Sequence, residues 1–297
     1  MADALSNSGL VVVDKPAGMT SHDVVSRLRR FFRTKRVGHA GTLDPMATGV
    51  LVVGIERGTR FLAHLVATTK AYDATIRLGA ATTTDDAEGD HTWGESAAAL
   101  DEEAVRAAVG KLTGEIMQRP ASVSAIKIAG RRAHELVRSG EEVEIPARPV
   151  TVFSFDIHDL RREGEFLDLD VSVSCSSGTY IRSLARDLGE ALGIGGHLTA
   201  LRRTEVGPFA LPDAVELDSL ENEPRLSLSL DEALIRSYPV LEVTAEEGAA
   251  LAMGKWLEPR GLQGVHAAVD PEGRAIALIR EKGKRLATVF VARPSTL

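Results

Sequence analysis

The chain has 297 residues, 44 % hydrophobic and 26 % charged, the make-up of a globular protein with one large domain or two. A single cysteine, Cys175, excludes an internal disulfide and a thiolate metal cage, and no apolar run nears the roughly 20 residues a bilayer requires. The net charge of −7 argues against a nucleic-acid partner only if it is spread evenly, and it is not.

Val24 to Gly38 carries six basic residues and no acid (Arg27, Arg29, Arg30, Arg33, Lys35, Arg36). Asp85 to Glu103 carries eight acids and no Lys or Arg, and from Glu205 to Glu258 acids outnumber bases twelve to three. Any one such run is ordinarily just a solvated face. The opening MADALSNSGL lacks the basic and apolar regions of a secretory signal, so the expectation is a cytoplasmic protein.

In chain order, LVVV (10–13) reads as a short buried strand closed by Asp14-Lys15-Pro16. TSHDVVSRLRRFF then starts a helix, with Thr20 and Asp23 as a capping box and Val24, Val25, Leu28, Phe31 and Phe32 as its apolar stripe. Arg27, Arg30 and Arg33 fall off that stripe. In VGHAGTLDPMATGVLVVG (37–54) a lone carboxylate, Asp44, sits among glycines, threonines and a proline. Asp-Pro commonly opens a turn, which is the plain alternative to a functional role. KAYDATIRLG alternates, putting Tyr72, Ala74, Ile76 and Leu78 on one strand face, and ATTTDDAEGD follows as an acidic loop.

Residues 97–112 read as a helix, and 118–150 as a polar excursion with a short strand, a basic turn and a short helix. FLDLDVSVSC is the cleanest strand, alternating Leu167, Leu169, Val171, Val173 and Cys175 with polar residues. It leads through Gly178 into a helix carrying Ile181, Leu184, Ala185, Leu188 and Leu192 inward, stopped by Gly193, Gly195 and Gly196. The stretch from Leu211 to Ser229 is loop-like. After Tyr238 come VLEV, a helix-like TAEEGAALAMG, and two strands joined by an Asp270-Pro-Glu-Gly turn. The expected architecture is α+β: a catalytic domain over 1–235 on a mixed, mainly antiparallel sheet with flanking helices, then a small β-rich domain over 236–297.

No metal-binding spacing of histidines, no phosphate-binding glycine loop and no Gly-x-Ser-x-Gly elbow occurs. Asp44 remains as a candidate nucleophile by elimination. GHAGTLDPMATGVLVV closely resembles the signature of the TruB family of tRNA pseudouridine-55 synthases. The likeness continues, in the family's order, through VDKPAGMTSHDVV, KAYDATIRLG, TTTDDAEGD, QRPASVSAIKIAGRRAHELVRSG, SSGTYIRSLARDLG and GGHLTALRRTEVGPF, covering most of residues 10–210. The terminal unit is similar, more weakly, to an RNA-binding PUA-type domain.

The resemblance implies a pseudouridine synthase fold and the T arm of tRNA as partner. An isomerisation needs no cofactor, which agrees with the missing nucleotide and metal motifs, and the expectation is no membrane, no obligate protein partner and, by default, a monomer. The resemblance makes Asp44 the essential aspartate and Tyr72 the platform on which the target base stacks. Arg182 becomes the aspartate's ion-pair partner, with Tyr180 beside it. Leu201 becomes an apolar wall, His39 a holder of the flipped-out T-loop stretch, and Lys15 with Pro16 a brace under the site. It also implies an RNA-gripping insertion over about 118–150.

The chemistry suits these types. A buried uracil must leave the base stack before a side chain reaches its glycosidic bond, and an aromatic platform returns roughly 1–3 kcal/mol of lost stacking. A carboxylate in an apolar pocket stays ionised only with a cation near it. Without the resemblance, Tyr72 and Leu201 are core residues and His39 a backbone-bonding histidine. Arg27, Arg30, Arg33, Lys35, Arg36, Arg131, Arg132, Arg202 and Arg203 are the candidates for phosphate contact. Two other readings are a tRNA-binding or tRNA-folding protein without chemistry, and an aspartyl-phosphate phosphohydrolase; the latter lacks its second aspartate, since Met46 stands in that place.

Overall fold

The structure, a computed structural model, describes residues 5–65, 68–121, 127–128, 131–132 and 145–297, with backbone only for 127–128 and 131–132. The helical part of the expected 118–150 excursion lies outside the described residues. Within it, Lys127–Ile128 and Arg131–Arg132 pair antiparallel.

In chain order the main elements are β1 (Gly9–Lys15), α1 (Ser21–Phe31), β2 (Val37–Ala40), β3 (Thr48–Ile55), β4 (Lys70–Leu78), α2 (Glu102–Lys111), β5 (Gly114–Gln118), β6 (Arg148–Glu163), β7 (Phe166–Cys175), α3 (Ile181–Ala191) and β8 (Gly196–Val206). Then follow α4 (Leu230–Ser237), β9 (Val240–Glu242), α5 (Ala245–Ala252), β10 (Val265–Val269), β11 (Ala275–Lys282) and β12 (Arg285–Val291). Two compact units result: one holds Met1–Pro45, Gly49–Val66 and Val206–Leu297, the other Met46–Thr48 and Ala67–Glu205.

In the first unit β1 pairs antiparallel with β3, Val11 opposite Val53, and β2 pairs with the same strand, His39 again opposite Val53. Val215–Glu216 adds to β1 in parallel. Both faces of these strands are covered, which is why LVVV and VLVV are unbroken apolar runs. The capping box of α1 forms as expected: Thr20 Oγ1 accepts from the Asp23 N–H, and the Thr20 N–H donates to the Asp23 carboxylate. The terminal sheet runs β9-β10-β11-β12. It shares a core with the amino-terminal strands, since Ala267, Ala275, Leu278 and Ala292 pack with Leu10, Val12 and Phe61. Arg57 ties the two together by donating to the carbonyls of Val291 and Ala292.

In the second unit the sheet order is β8-β4-β7-β6-β5. Strand β7 lies antiparallel between β4 and β6, with Val173 opposite Tyr72 and Cys175 opposite Lys70. The alternation expected for β4 holds: Tyr72, Ala74, Ile76 and Leu78 are all buried. On β7 the polar face has one exception, because Asp168 is buried and receives two hydrogen bonds at 2.7 Å from Arg77.

The helix expected over 97–112 is shorter. Asp101 caps it, its carboxylate accepting from the Glu103 N–H. Ahead of that cap, Arg162 donates to the carbonyls of Ala97, Ala98 and Leu100. A guanidinium from another strand thus claims the carbonyls that a longer helix would have used itself.

Candidate active site

Asp44 is half-buried in the loop between β2 and β3, and the residues on either side of it are tied down. The Leu43 N–H donates to Ser21 Oγ at 2.8 Å, and the Ser21 hydroxyl donates to Leu43 O at 3.1 Å. On the other side, Pro45 O accepts from the Gly18 N–H at 2.8 Å and from Lys15 Nζ at 3.3 Å. Lys15 is wholly buried, and the same amino group donates to Met19 O at 2.6 Å and Pro16 O at 2.9 Å.

The first turn of α1 and the Lys-Pro segment before it therefore fix the backbone that carries Asp44. Gly18 can offer its N–H because its φ of +82° is open to glycine at little cost. His39 lies in the same unit, on β2 and five residues before Asp44.

Tyr72, Tyr180, Arg182 and Leu201 belong to the second unit. Tyr72 is 7 % exposed on β4, and Leu201 is buried on β8. Tyr180 stands at the start of α3, its main chain clasped by a buried side chain: its N–H donates to Gln118 Oε1 at 2.8 Å, and Gln118 Nε2 donates to its carbonyl at 3.0 Å. Two residues on, Arg182 is only 5 % exposed; it donates to Thr84 O at 3.0 Å and lies 3.5 Å from the Asp86 carboxylate.

Asp86, a carboxylate beside Arg182, is not among the residues singled out from the sequence. It sits in TTTDDAEGD, which the sequence presents as a polar, acidic loop and as one block of the family resemblance, with no role for Asp86 itself. Asp86 is 2 % exposed, and Asp85 is bound by Arg186 at 3.0 Å. Arg182 and Arg186 stand one helical turn apart on α3 and grip this loop together. Burial pushes the Asp85 and Asp187 carboxyls upward, against the pull of Arg186. Asp85 also holds a φ of +61°, a left-handed conformation that an aspartate tolerates better than most residues. The signal available in the sequence was the pair of arginines four apart, facing an acidic run that had no basic residue of its own.

The phosphate candidates divide. Arg203 is a correction: at 1 % exposure it is among the largest fully buried side chains, sharing the inward strand face with Leu201, so it is no surface phosphate contact. Arg27 bonds Asp218 at 2.7 Å, and Arg30 lies 3.8 Å from Glu221, so part of the basic helix face meets acids of the chain itself. Arg33 and Lys35 are exposed, and the exposed Arg36 lies 3.4 Å from Glu56. Arg202 donates to Thr48 Oγ1 at 3.3 Å. The side chains of Arg131 and Arg132 lie outside the described residues.

In the terminal sheet a shallow cavity of about 570 Å³ is lined by Trp256, Lys282, Lys284 and Arg285. Trp256 is 46 % exposed, with the Arg285 guanidinium 4.8 Å from the centre of its ring. Among the described residues no group of three or more His, Cys, Asp or Glu could hold a metal ion, and no helix is long and apolar enough to cross a membrane.

A mixed α+β fold with a carboxylate on a pinned, glycine-rich loop defines a class that comparison makes definite. Residues 29–181 match the family pattern described as TruB family pseudouridylate synthase (N terminal domain). Residues 182–238 match tRNA pseudouridylate synthase B C-terminal domain, and 238–293 match tRNA Pseudouridine synthase II, C terminal. The chain belongs to the TruB family of pseudouridylate synthases.

It is 79 % identical, over the full length of both chains, to tRNA pseudouridine synthase B of Corynebacterium aurimucosum, and 77 % identical, again over both full lengths, to that of Corynebacterium efficiens. Among solved structures, a Cbf5-Nop10-Gar1 complex contains a chain 25 % identical with a TM-score of 0.73, the match covering 98 % of this chain and 87 % of that one. A second, in an H/ACA RNP bound to a substrate RNA, matches in fold with the same TM-score at 24 % identity, covering 98 % of this chain and 86 % of that one.

Proposed function

We propose that the protein isomerises uridine to pseudouridine in tRNA, at position 55 of the T loop, with Asp44 as the essential carboxylate and no cofactor. The observation that carries this reading is the pinning of Asp44. A carboxylate that must meet one atom of an extruded base gains from a backbone fixed on both sides, and here Leu43 and Pro45 are each held by two hydrogen bonds. The full-length likeness to proteins named tRNA pseudouridine synthase B supports the substrate class.

Breaking the N–C bond to ribose, turning the uracil and rejoining it through carbon neither oxidises nor adds anything. The residues required are an aromatic platform, a carboxylate and a cation that keeps it ionised. Tyr72 takes the first role, Asp44 the second and Arg182 the third, with Tyr180 and Leu201 shaping the pocket, Lys15 bracing it and His39 positioning the loop. Residues 1–235 carry this chemistry in the reading, and 236–297 add RNA affinity through the Trp256 face.

Asp44→Asn keeps shape and removes charge. With an unmodified tRNA transcript, the variant is expected to form no pseudouridine while binding tRNA within about threefold of wild type. Unaltered isomerisation would reject the assignment, and pseudouridine mapped elsewhere than the T loop would reject the position. Arg182→Lys, which keeps the charge but loses the planar fork, is expected to slow turnover more than it weakens binding.

A further inference from the structure

Lys70 opens β4 two residues before Tyr72, so both side chains leave the same strand face. Opposite it on β7 is Cys175, and beyond that strand's end Ser177 accepts a hydrogen bond from Lys70 Nζ at 3.2 Å. An ammonium has three donors, and Ser177 takes one. Among the described residues no carboxylate forms an ion pair with Lys70. Cys175 cannot serve, because burial pushes its thiol up to about 11 and leaves it neutral.

The charged group that acts most strongly on Lys70 is another cation, the buried Arg203. Burial and Arg203 together drive the Lys70 pKa down. Half-buried lysines usually reach for a carboxylate or for open water, and a sequestered ammonium without a counter-charge is costly. Here the cost is borne by a folded strand beside the tyrosine already assigned to the substrate base.

We infer that Lys70, oriented by Ser177, is an internal anion site that holds a backbone phosphate of the RNA next to the base stacked on Tyr72. Among the described residues two of the three Lys70 N–H donors take no partner, and an incoming phosphate would meet them with the positive field of Arg203 added. Such charge-assisted bonds are stronger in a partly desolvated site than at the surface. The site would fix the register of the flipped nucleotide, which makes Lys70 a binding residue distinct from the exposed arginines of α1.

This rests on the proposed function, and the test separates the two. Lys70→Met keeps length and removes charge, while Lys70→Arg restores charge. Each variant would be assayed against T-arm RNA hairpins in which the phosphates flanking the target uridine are replaced, one at a time, by neutral methylphosphonates.

On the all-phosphate hairpin, Lys70→Met is expected to lose about tenfold or more in both affinity and kcat/KM, and Lys70→Arg to recover most of it. On one methylphosphonate hairpin, wild type should fall to the level of the Met variant, and the variant should fall no further. The melting temperature of Lys70→Met should equal or exceed that of wild type, since an uncompensated cation has been removed.

Wild-type affinity and turnover in Lys70→Met, or a loss that is the same on every hairpin, would overturn the site. A fall in melting temperature with no phosphate-specific coupling would mark Lys70 as structural. Should wild type make no pseudouridine on any RNA, the proposed function fails, and the site is then judged on hairpin affinity alone, where the same pattern must appear.

Discussion

Lys15 shows how one buried side chain can set the backbone of the loop that carries Asp44. Its amino group reaches three carbonyls, of Pro16, Met19 and Pro45, that all lie outside the strands. Lys15→Met would fill the same space and leave those acceptors short of a donor. The expected cost is about 2–4 kcal/mol of stability, read from urea unfolding. Turnover should fall further than tRNA affinity, because the backbone on the Pro45 side of Asp44 loses part of its tether. Equal losses in both would mean that Lys15 supports the fold without aiming the loop.

At the scale of elements, α3 and the 82–90 loop act as one device. Arg182 and Arg186, a turn apart, engage Asp86 and Asp85, while the Leu198 N–H donates to Asp85 O from β8. Asp85 and Asp187 titrate above the ordinary aspartate range because they are buried. A carboxyl whose folded pKa is raised binds its proton more readily in the native chain than in the unfolded one. Its contribution therefore favours folding on the acid side and is lost as pH rises through the folded value.

Arg186→Met removes the cation that opposes this shift in both groups. At neutral pH the variant is expected to lose about 3–5 kcal/mol, since two poorly solvated carboxylates lose their main partner. Part of that loss should be regained on lowering the pH to about 5, where they take up protons. Melting temperatures across that range decide it; a deficit that does not change with pH would show that lost packing, not charge, sets the cost.

For the whole molecule, the net charge of −7 conceals a division of labour. Acids at Asp218 and Glu221 neutralise part of α1, whereas Arg33 and Lys35 and the face around Trp256 stay exposed. Binding of tRNA should weaken by about 10- to 1,000-fold between 50 and 200 mM salt, as counterion release requires. Flat affinity across that range would exclude phosphate contacts as its source. Trp256→Ala is expected to reduce affinity for full-length tRNA about tenfold while leaving an isolated T-arm hairpin unaffected. A matching loss on the hairpin would place the Trp256 face at the T arm.

Local patterns settled a good deal. The Thr20–Asp23 cap, the alternation of β4, the β7 strand and the Asp270–Gly273 turn before β11 are all decided by neighbours within a few residues, and they stand where the sequence puts them. The 16-residue β6 was not legible, because register shifts near Val152 and Ile157 break its period of two. The burial of Arg203, and of Asp85 and Asp86 against α3, was equally hidden, since opposite charges far apart in the chain do not declare which will meet.

The motif around Asp44 marked the residue, but the bonds that hold it come from Lys15, Gly18 and Ser21, more than twenty residues upstream. The sequence by itself determined the elements and the chemical types at the site, because propensity, capping and alternation act over short range. Which carboxylates are buried, and what pins the backbone beside Asp44, was decided only by tertiary packing, where desolvation and long-range hydrogen bonds are set.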